Sequence, residues 1–273
     1  MRGSGVSPIV SIILVQHNQS RLTREAIDSL RSHYRGPHEI IVVDNGSTDP
    51  GPLPGGILLL RNEENLGFGA ANNRAAQNAQ GEVLLFLNND TLTTMDFVTP
   101  ALNELLRDPR VGIVGPKILN ADGTLQLSNG PLPSLRVEMT DKILYRLVGK
   151  KWDPAIRYAA RVRTRSETEW VTGAALFIRS DVFRELGGFD ERFFMFFEDK
   201  DLCARARLRG YVVRFVPGAE VIHLRGGSSG ERRDWIERIY RESQFRYYEK
   251  HRPAVERILL RMYLAAVGKV PWT

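Results

Sequence analysis

Four short clusters in this 273-residue chain carry side chains able to do chemistry. "VVDNGSTD" ends an apolar run on Asp44, and "LLFLNNDT" ends another on Asn88, Asn89 and Asp90. "FFMFFEDKD" sets Glu198, Asp199 and Asp201 behind a run of apolar side chains, and "EVIHL" holds His223. Carboxylates bind hard divalent cations. A carboxylate approached through apolar surroundings has its pKa lifted toward neutrality, where it serves as a general base. Each cluster also has a plainer explanation: Asp44 in an Asx turn, Asp90 as a helix cap, Asp201 in a solvated first turn, His223 as a structural histidine. Two polar strand tips on neighbouring crossovers are better explained by one shared crevice than by two coincidences.

The elements that must position these residues are legible from periodicity. "IVSIILV" (9–15), "EIIVVD" (39–44), "ILLL" (57–60) and "EVLLFL" (82–87) are apolar runs of the kind that strands covered on both faces show. Helical spacing over 20–33, with Leu22, Ala26, Ile27 and Leu30, and over 69–80 places helices between them. This alternation predicts a mostly parallel α/β sheet with ligands beyond the carboxyl ends of its strands, where Asn18, Asp44 and Asn88 to Asp90 stand. Further on, the pattern predicts a strand before Ser180, short helices over 180–186 and 198–210, and two short strands, "YVVRFV" and "EVIHL". Amphipathic helices follow over 234–250 and 254–267. Gly67-Phe68-Gly69 does not make a dinucleotide fingerprint, since Asn72 stands where the third glycine belongs and the motif does not follow the first strand.

Composition, at 42% hydrophobic and 26% charged, excludes disordered and collagen-like classes. No apolar run approaches the ~20 residues of a membrane-spanning helix, no signal-peptide pattern is present, and the lone Cys203 excludes an internal disulfide. The expectation is a cytoplasmic protein. Charge is segregated: 142–165 hold 8 basic residues against 1 acidic, and 225–273 hold 11 against 6. No nucleic-acid-binding motif accompanies them. Either an anionic membrane surface, with Trp235, Tyr240, Tyr263 and Trp272 at the headgroups, or ordinary packing helices account for these segments about equally well. The division expected is a catalytic domain over 7–224, with a basic insertion at about 130–168, and a C-terminal helical extension over 225–273.

Five motifs in order, "VDNGSTD", "NLGFGAANN", "FLNNDT", "VTGAALFIRSDVFRELGGFDERFFMFFEDKDLCARARLRGY" and "PGAEVIHLRGGSS", cover most of the chain from Val10 to Ser229. With them the chain resembles the family 2 glycosyltransferases of the GT-A fold, in particular bacterial rhamnosyltransferase-like members. The resemblance implies a Rossmann-like catalytic domain that moves a sugar, L-rhamnose from dTDP-L-rhamnose in the members it most resembles, from a nucleotide-diphosphate donor to a saccharide acceptor, often lipid-linked. It implies Asp44 against the nucleotide base, with Asn18, Asn45, Gly67, Asn88 and Asn89 around the nucleotide and donor sugar. Asp90 and His223 would bind a divalent metal, Mg2+ or Mn2+, with the imidazole leaning toward Mn2+. Asp199 would be the catalytic base, and Thr172, Gly173 and Glu198 would line the acceptor side. The family commonly presents Asp-x-Asp where this chain has Asn88-Asn89-Asp90, so one carboxylate is replaced by an amide. Other readings are a galactofuranosyl or other hexosyl transferase of the family, and a binding module that has lost the reaction. Peripheral placement on the inner face of the cytoplasmic membrane would suit a lipid-linked acceptor.

Overall fold

The computed structural model describes residues 10–149, 166–224 and 233–268. In chain order its elements are β1 (Val10–Gln16), α1 (Ser20–His33), β2 (His38–Asn45), β3 (Leu58–Asn62), α2 (Phe68–Asn78), β4 (Val83–Leu87), β5 (Thr91–Leu92), α3 (Val98–Arg107) and β6 (Val111–Asn120). Then come β7 (Asn129–Gly130), α4 (Leu135–Gly149), β8 (Glu167–Thr168), β9 (Trp170–Val171), β10 (Ala175–Arg179), α5 (Ser180–Glu185), α6 (Glu198–Leu208), β11 (Val212–His223), α7 (Arg233–His251) and α8 (Ala254–Ala266).

Strands pair in the order β3-β2-β1-β4-β10-β6-β11-β5, with β8 also on β11. β1 to β4 run parallel, β10 is antiparallel to β4 and β6, and β11 is parallel to β6. The chain leaves β1 toward β2 and β3 on one side and returns as β4 on the other, so the carboxyl ends of β1 and β4 open a crevice at the point of reversal.

The continuous apolar runs follow from burial on both faces. Alternate residues divide between two cores: Ile12, Leu14, Ile40, Val42, Leu85 and Leu87 pack with Ala26, Ile27 and Leu30 of α1 and with Val98, Ala101 and Leu105 of α3. Ile13, Ile41, Val43, Leu84 and Phe86 pack with Ala71 and Ala75 of α2, Val182 and Phe183 of α5, and Leu202, Cys203 and Ala206 of α6. Cys203 is buried and unbridged, and burial pushes its thiol up to about 12.

The structure departs from the sequence pattern at several points. "YVVRFV" and "EVIHL" belong to one 12-residue strand, β11, because Pro217 and Gly218 fall in a register shift between Val216 and Glu220 and do not end it. The first part of the basic insertion is ordered as α4, with Leu132 and Leu135 packed against a third core of Phe193, Phe197, Phe245, Tyr247, Tyr248, Leu260 and Leu264. Residues 150–165, 225–232 and Trp272 lie outside the described residues. Asp201 is not solvated but fully buried: His251 Nε2 and Lys250 Nζ each lie 2.7 Å from its Oδ1, and Arg205 Nε lies 2.8 Å from its Oδ2. Tyr240 packs at 5.6 Å from Phe196 and 5.2 Å from Phe197, so that face of α7 is a packing face.

Candidate active site

The end of β4 is clamped at the first residue of its polar triplet, with the Asn88 N–H donating to Ala174 O at 2.9 Å. Two residues on, β5 folds back against the end of β11, with Thr91 opposite His223. This short antiparallel pair brings Asp90 and His223 together: Oδ1 and Nε2 are 3.0 Å apart, and both side chains are largely buried. The other imidazole nitrogen, Nδ1, is 3.1 Å from Gln126 Oε1. A proton on Nδ1, donated to Gln126, leaves the Nε2 lone pair facing the Asp90 oxygen and the Asn88 amide, an arrangement able to hold a cation. Two ligands at right angles, each ~2.1 Å from a metal, stand about 3 Å apart, so the pair fits a divalent cation that takes its remaining positions from phosphate oxygens and water. Among the described residues no group of three or more His, Cys, Asp and Glu is placed to hold a metal by itself.

Glu198 and Asp199 approach from the opposite side on the first turn of α6. Phe196 and Phe197 before them adopt left-handed backbone, φ 69° and 65°. Bulky residues tolerate that conformation only where packing imposes it, and such strain collects at functional sites. Here Tyr240 and Tyr247 impose it by ring contacts of 5.2 to 5.6 Å with the two phenylalanines. Asp199 Oδ2 accepts the Gly173 N–H at 2.9 Å and Oδ1 accepts the Lys200 N–H at 2.7 Å, which fixes the carboxylate's orientation. Glu198 is 6% exposed, and its Oε2 accepts no hydrogen bond. Burial, helped by the neighbouring Asp199 charge, pushes its carboxyl up to about 8. A cavity of about 600 Å³ gathers Asn88, Asp90 and His223 together with Thr172, Gly173, Glu198 and Asp199.

The remaining expected residues lie at the ends of β1 and β2. Asp44 is 3% exposed, and its Oδ1 is buried without a hydrogen-bond partner. Asn45 beside it is spent on the protein, its amide donating to Asn65 Oδ1 and Gly67 O and its carbonyl accepting from Asn62 Nδ2 and Leu66 N. Asn18 Oδ1 accepts from Thr48 and Asp49, tying the turn after β2 to the end of β1. The Asn89 amide donates to Gln19 Oε1 and Thr23 Oγ1 of the α1 region. Gly67 has φ +86°, and a Cβ there would stand 2.4 Å from Phe194 O. The side chains of Asn18, Asn45 and Asn89 therefore build loops, whereas Asp44 Oδ1 has no hydrogen-bond partner and Asn88 and Asp90 both face His223.

Sequence reasoning missed Gln126, which sets the His223 tautomer, and Lys200, whose Nζ lies 4.3 Å from the Phe197 ring and 4.8 Å from the Trp170 ring at the cavity wall. It missed Gln16 too. Gln16 stands beside Asp44 at the end of β1 and has an equally unpartnered Oε1. For Gln16 a signal existed: it is the first polar residue after an apolar strand, as Asp44 is.

Comparison with known proteins decides the family. The profile of glycosyl transferase family 2 matches residues 11–187. The chain belongs to that family. This glycosyltransferase is 28% identical over 242 residues to the N-acetylglucosaminyl-diphospho-decaprenol L-rhamnosyltransferase of Mycobacterium tuberculosis, covering 82% of this chain and 79% of that one. It is 33% identical to the O-antigen biosynthesis protein RfbC of Myxococcus xanthus over 81% of this chain, which spans only 18% of that longer protein. The fold is GT-A. The mannosyltransferase PcManGT of Pyrobaculum calidifontis, solved with GDP-Man and Mn2+, superposes with a TM-score of 0.62 at 19% identity, covering 97% of this chain and 77% of that one. GalNAc-T7, solved with UDP, GalNAc and Mn2+, does so with a TM-score of 0.60 at 17% identity, covering 87% of this chain and 48% of that one.

Proposed function

We propose that this glycosyltransferase moves L-rhamnose from dTDP-L-rhamnose to a hydroxyl of a lipid-linked saccharide, with inversion, in the synthesis of a cell-surface polysaccharide. The sugar and acceptor rest on the rhamnosyltransferase and O-antigen relatives. One observation carries the chemistry: a single cavity has the Asp90 and His223 pair on one wall and an oriented carboxylate, Asp199, on another.

Asp90 and His223 are the residues that would hold a divalent cation, a reading supported by the two structural neighbours, both solved with Mn2+. When bound, such a cation stabilises negative charge growing on a leaving diphosphate. The Asn88 amide, 3.2 Å from His223 Nε2, supplies hydrogen bonds beside it without adding charge. Buried and unpartnered, Asp44 Oδ1 suits an N–H of the nucleobase, such as the imide of thymine. Asp199 accepts the proton of the acceptor hydroxyl while that oxygen bonds to the anomeric carbon. The bond from that carbon to the diphosphate oxygen breaks, and the nucleoside diphosphate leaves with the electron pair. Gly173 and Lys200 N–H groups hold Asp199 for that transfer, and Thr172 and Glu198 form the acceptor side with it.

A panel of nucleotide sugars scored by thermal stabilisation, with and without Mn2+, tests the donor. The largest upward shift should come from dTDP-L-rhamnose with Mn2+ present; a larger shift with UDP-galactofuranose or GDP-mannose would replace the donor.

A further inference from the structure

Lys200 brings an ammonium to the cavity wall and, among the described residues, spends it on no ion pair. It follows Asp199 in the first turn of α6, and its Nζ lies 4.3 Å from the centre of the Phe197 ring and 4.8 Å from that of Trp170. Both rings are fixed by contacts of their own. The Trp170 indole N–H donates to Pro131 O at 2.9 Å, and Phe197 is held at 5.2 Å by Tyr240 and 5.6 Å by Tyr247. Aromatic faces orient an ammonium without neutralising it. Arg205 of the same helix and Lys250 of α7, by contrast, are spent on Asp201.

The carboxyl groups of that turn are engaged elsewhere. Asp201 is buried against Lys250 and His251, Asp199 accepts the Gly173 and Lys200 N–H groups, and Glu198, pushed up to about 8, keeps its proton at neutral pH. A lysine held in this way suits an anion, and phosphate groups are what its point charge commonly holds. Two phosphates are candidates, that of the donor and one carried by the acceptor. Inversion separates them, because the hydroxyl attacks the anomeric carbon from the face opposite the departing diphosphate. Asp90 and His223 stand on the departing side, whereas Asp199, with Lys200 next to it, stands on the attacking side.

We propose that Lys200 selects an acceptor that carries a phosphate or diphosphate beside its reacting sugar. The inference rests on the reading of an inverting transfer with Asp199 as base, and it narrows the acceptor from a saccharide to a glycosyl phosphate or diphosphate. The two rings hold the ammonium in place before that substrate arrives.

The probe is octyl diphosphate, titrated by calorimetry into the full chain at neutral pH with a chelator present, so that no divalent cation draws it to Asp90 and His223. Octyl glucoside is the uncharged control. The parent should bind the diphosphate in clear preference to the glucoside. Lys200→Met should weaken that binding by about tenfold or more, and Lys200→Arg should stay near the parent. Adding dTDP with Mn2+ in place of the chelator should leave the Lys200-dependent binding intact, because donor and acceptor occupy the cavity together. A parent that binds the diphosphate no better than the glucoside overturns the proposal, as does a methionine variant that binds it as well as the parent. Expulsion of the probe by dTDP with Mn2+ places the anion at the donor position and overturns it too. Circular dichroism equal to the parent's separates a lost contact from a lost fold. A parent that fails to bind dTDP with Mn2+ sinks the donor reading alone, since the metal-free titration judges Lys200 by itself.

Discussion

Under the proposed function Asp90 would hold a divalent cation with an imidazole in place of a second carboxylate. His223 is brought to 3.0 Å from Asp90, with its far nitrogen held by Gln126. We expect Asp90→Ala to lose Mn2+-dependent binding of dTDP in titration calorimetry while keeping its fold; binding equal to the parent would move the metal elsewhere. Glu198 gives a prediction of the opposite kind. Burial and the Asp199 charge raise its carboxyl from 4.5 to about 8. The native state then holds that proton more tightly than the unfolded chain, so stability falls as pH rises between those values. Glu198→Gln removes the fall. In thermal melts the variant should gain on the parent steadily from about pH 5 to 8, and a constant difference would contradict the buried acid. Asp44, Asp90, Asp199 and His223 were legible as polar types at predicted strand and helix ends. The left-handed Phe196 and Phe197 were not, because phenylalanine carries no residue-type signal for that backbone. The engagement of Asn45 and Asn89 within the protein was equally hidden, since an amide that builds a loop and one that meets a ligand look alike in sequence.

At the level of elements, strands were readable because burial on both faces makes apolar runs continuous. Direction was not: β10 is antiparallel between β4 and β6, and such runs carry no mark of which way they point. Asp201 shows the same limit. In sequence it is a charge in a helix's first turn, and only the fold brings Lys250 and His251 of α7 to it. Burial works against its charge, but the His251 hydrogen bond and the charges of Arg205 and Lys250 outweigh this and hold the carboxyl below its ordinary range. Its contribution to stability is therefore complete above the ordinary carboxylate pKa and is lost as pH falls through the lowered one. Asp201→Ala removes the buried partner that Arg205, Lys250 and His251 share and should cost about 3–5 kcal/mol in urea unfolding at neutral pH. A loss below about 1 kcal/mol would mean solvent replaces the carboxylate. Gly67→Ala should cost at least about 1–3 kcal/mol, since it combines a positive φ with a backbone clash at Phe194. A denaturation midpoint equal to the parent's would show that the loop shifts freely.

Over the whole molecule, the cavity is assembled from the start of α2, the residues after β4, Gln126 and Leu127, the β9 to β10 connection, the α6 start, the end of β11 and α7, segments spread from Phe68 to Ile236. Five motifs in order announced most of these, but the wall given by Ile236 lies beyond them and depends on how the hairpin of α7 and α8 folds back. The central claim is that this one cavity separates donor holding from proton removal. Asp199→Asn measures it most directly, because the amide keeps the shape and cannot accept the proton in the same way. Transfer should fall by at least about a hundredfold while dTDP affinity with Mn2+ stays at the parent's value. A variant that transfers at the parent's rate, or one that loses nucleotide affinity along with transfer, would contradict the account.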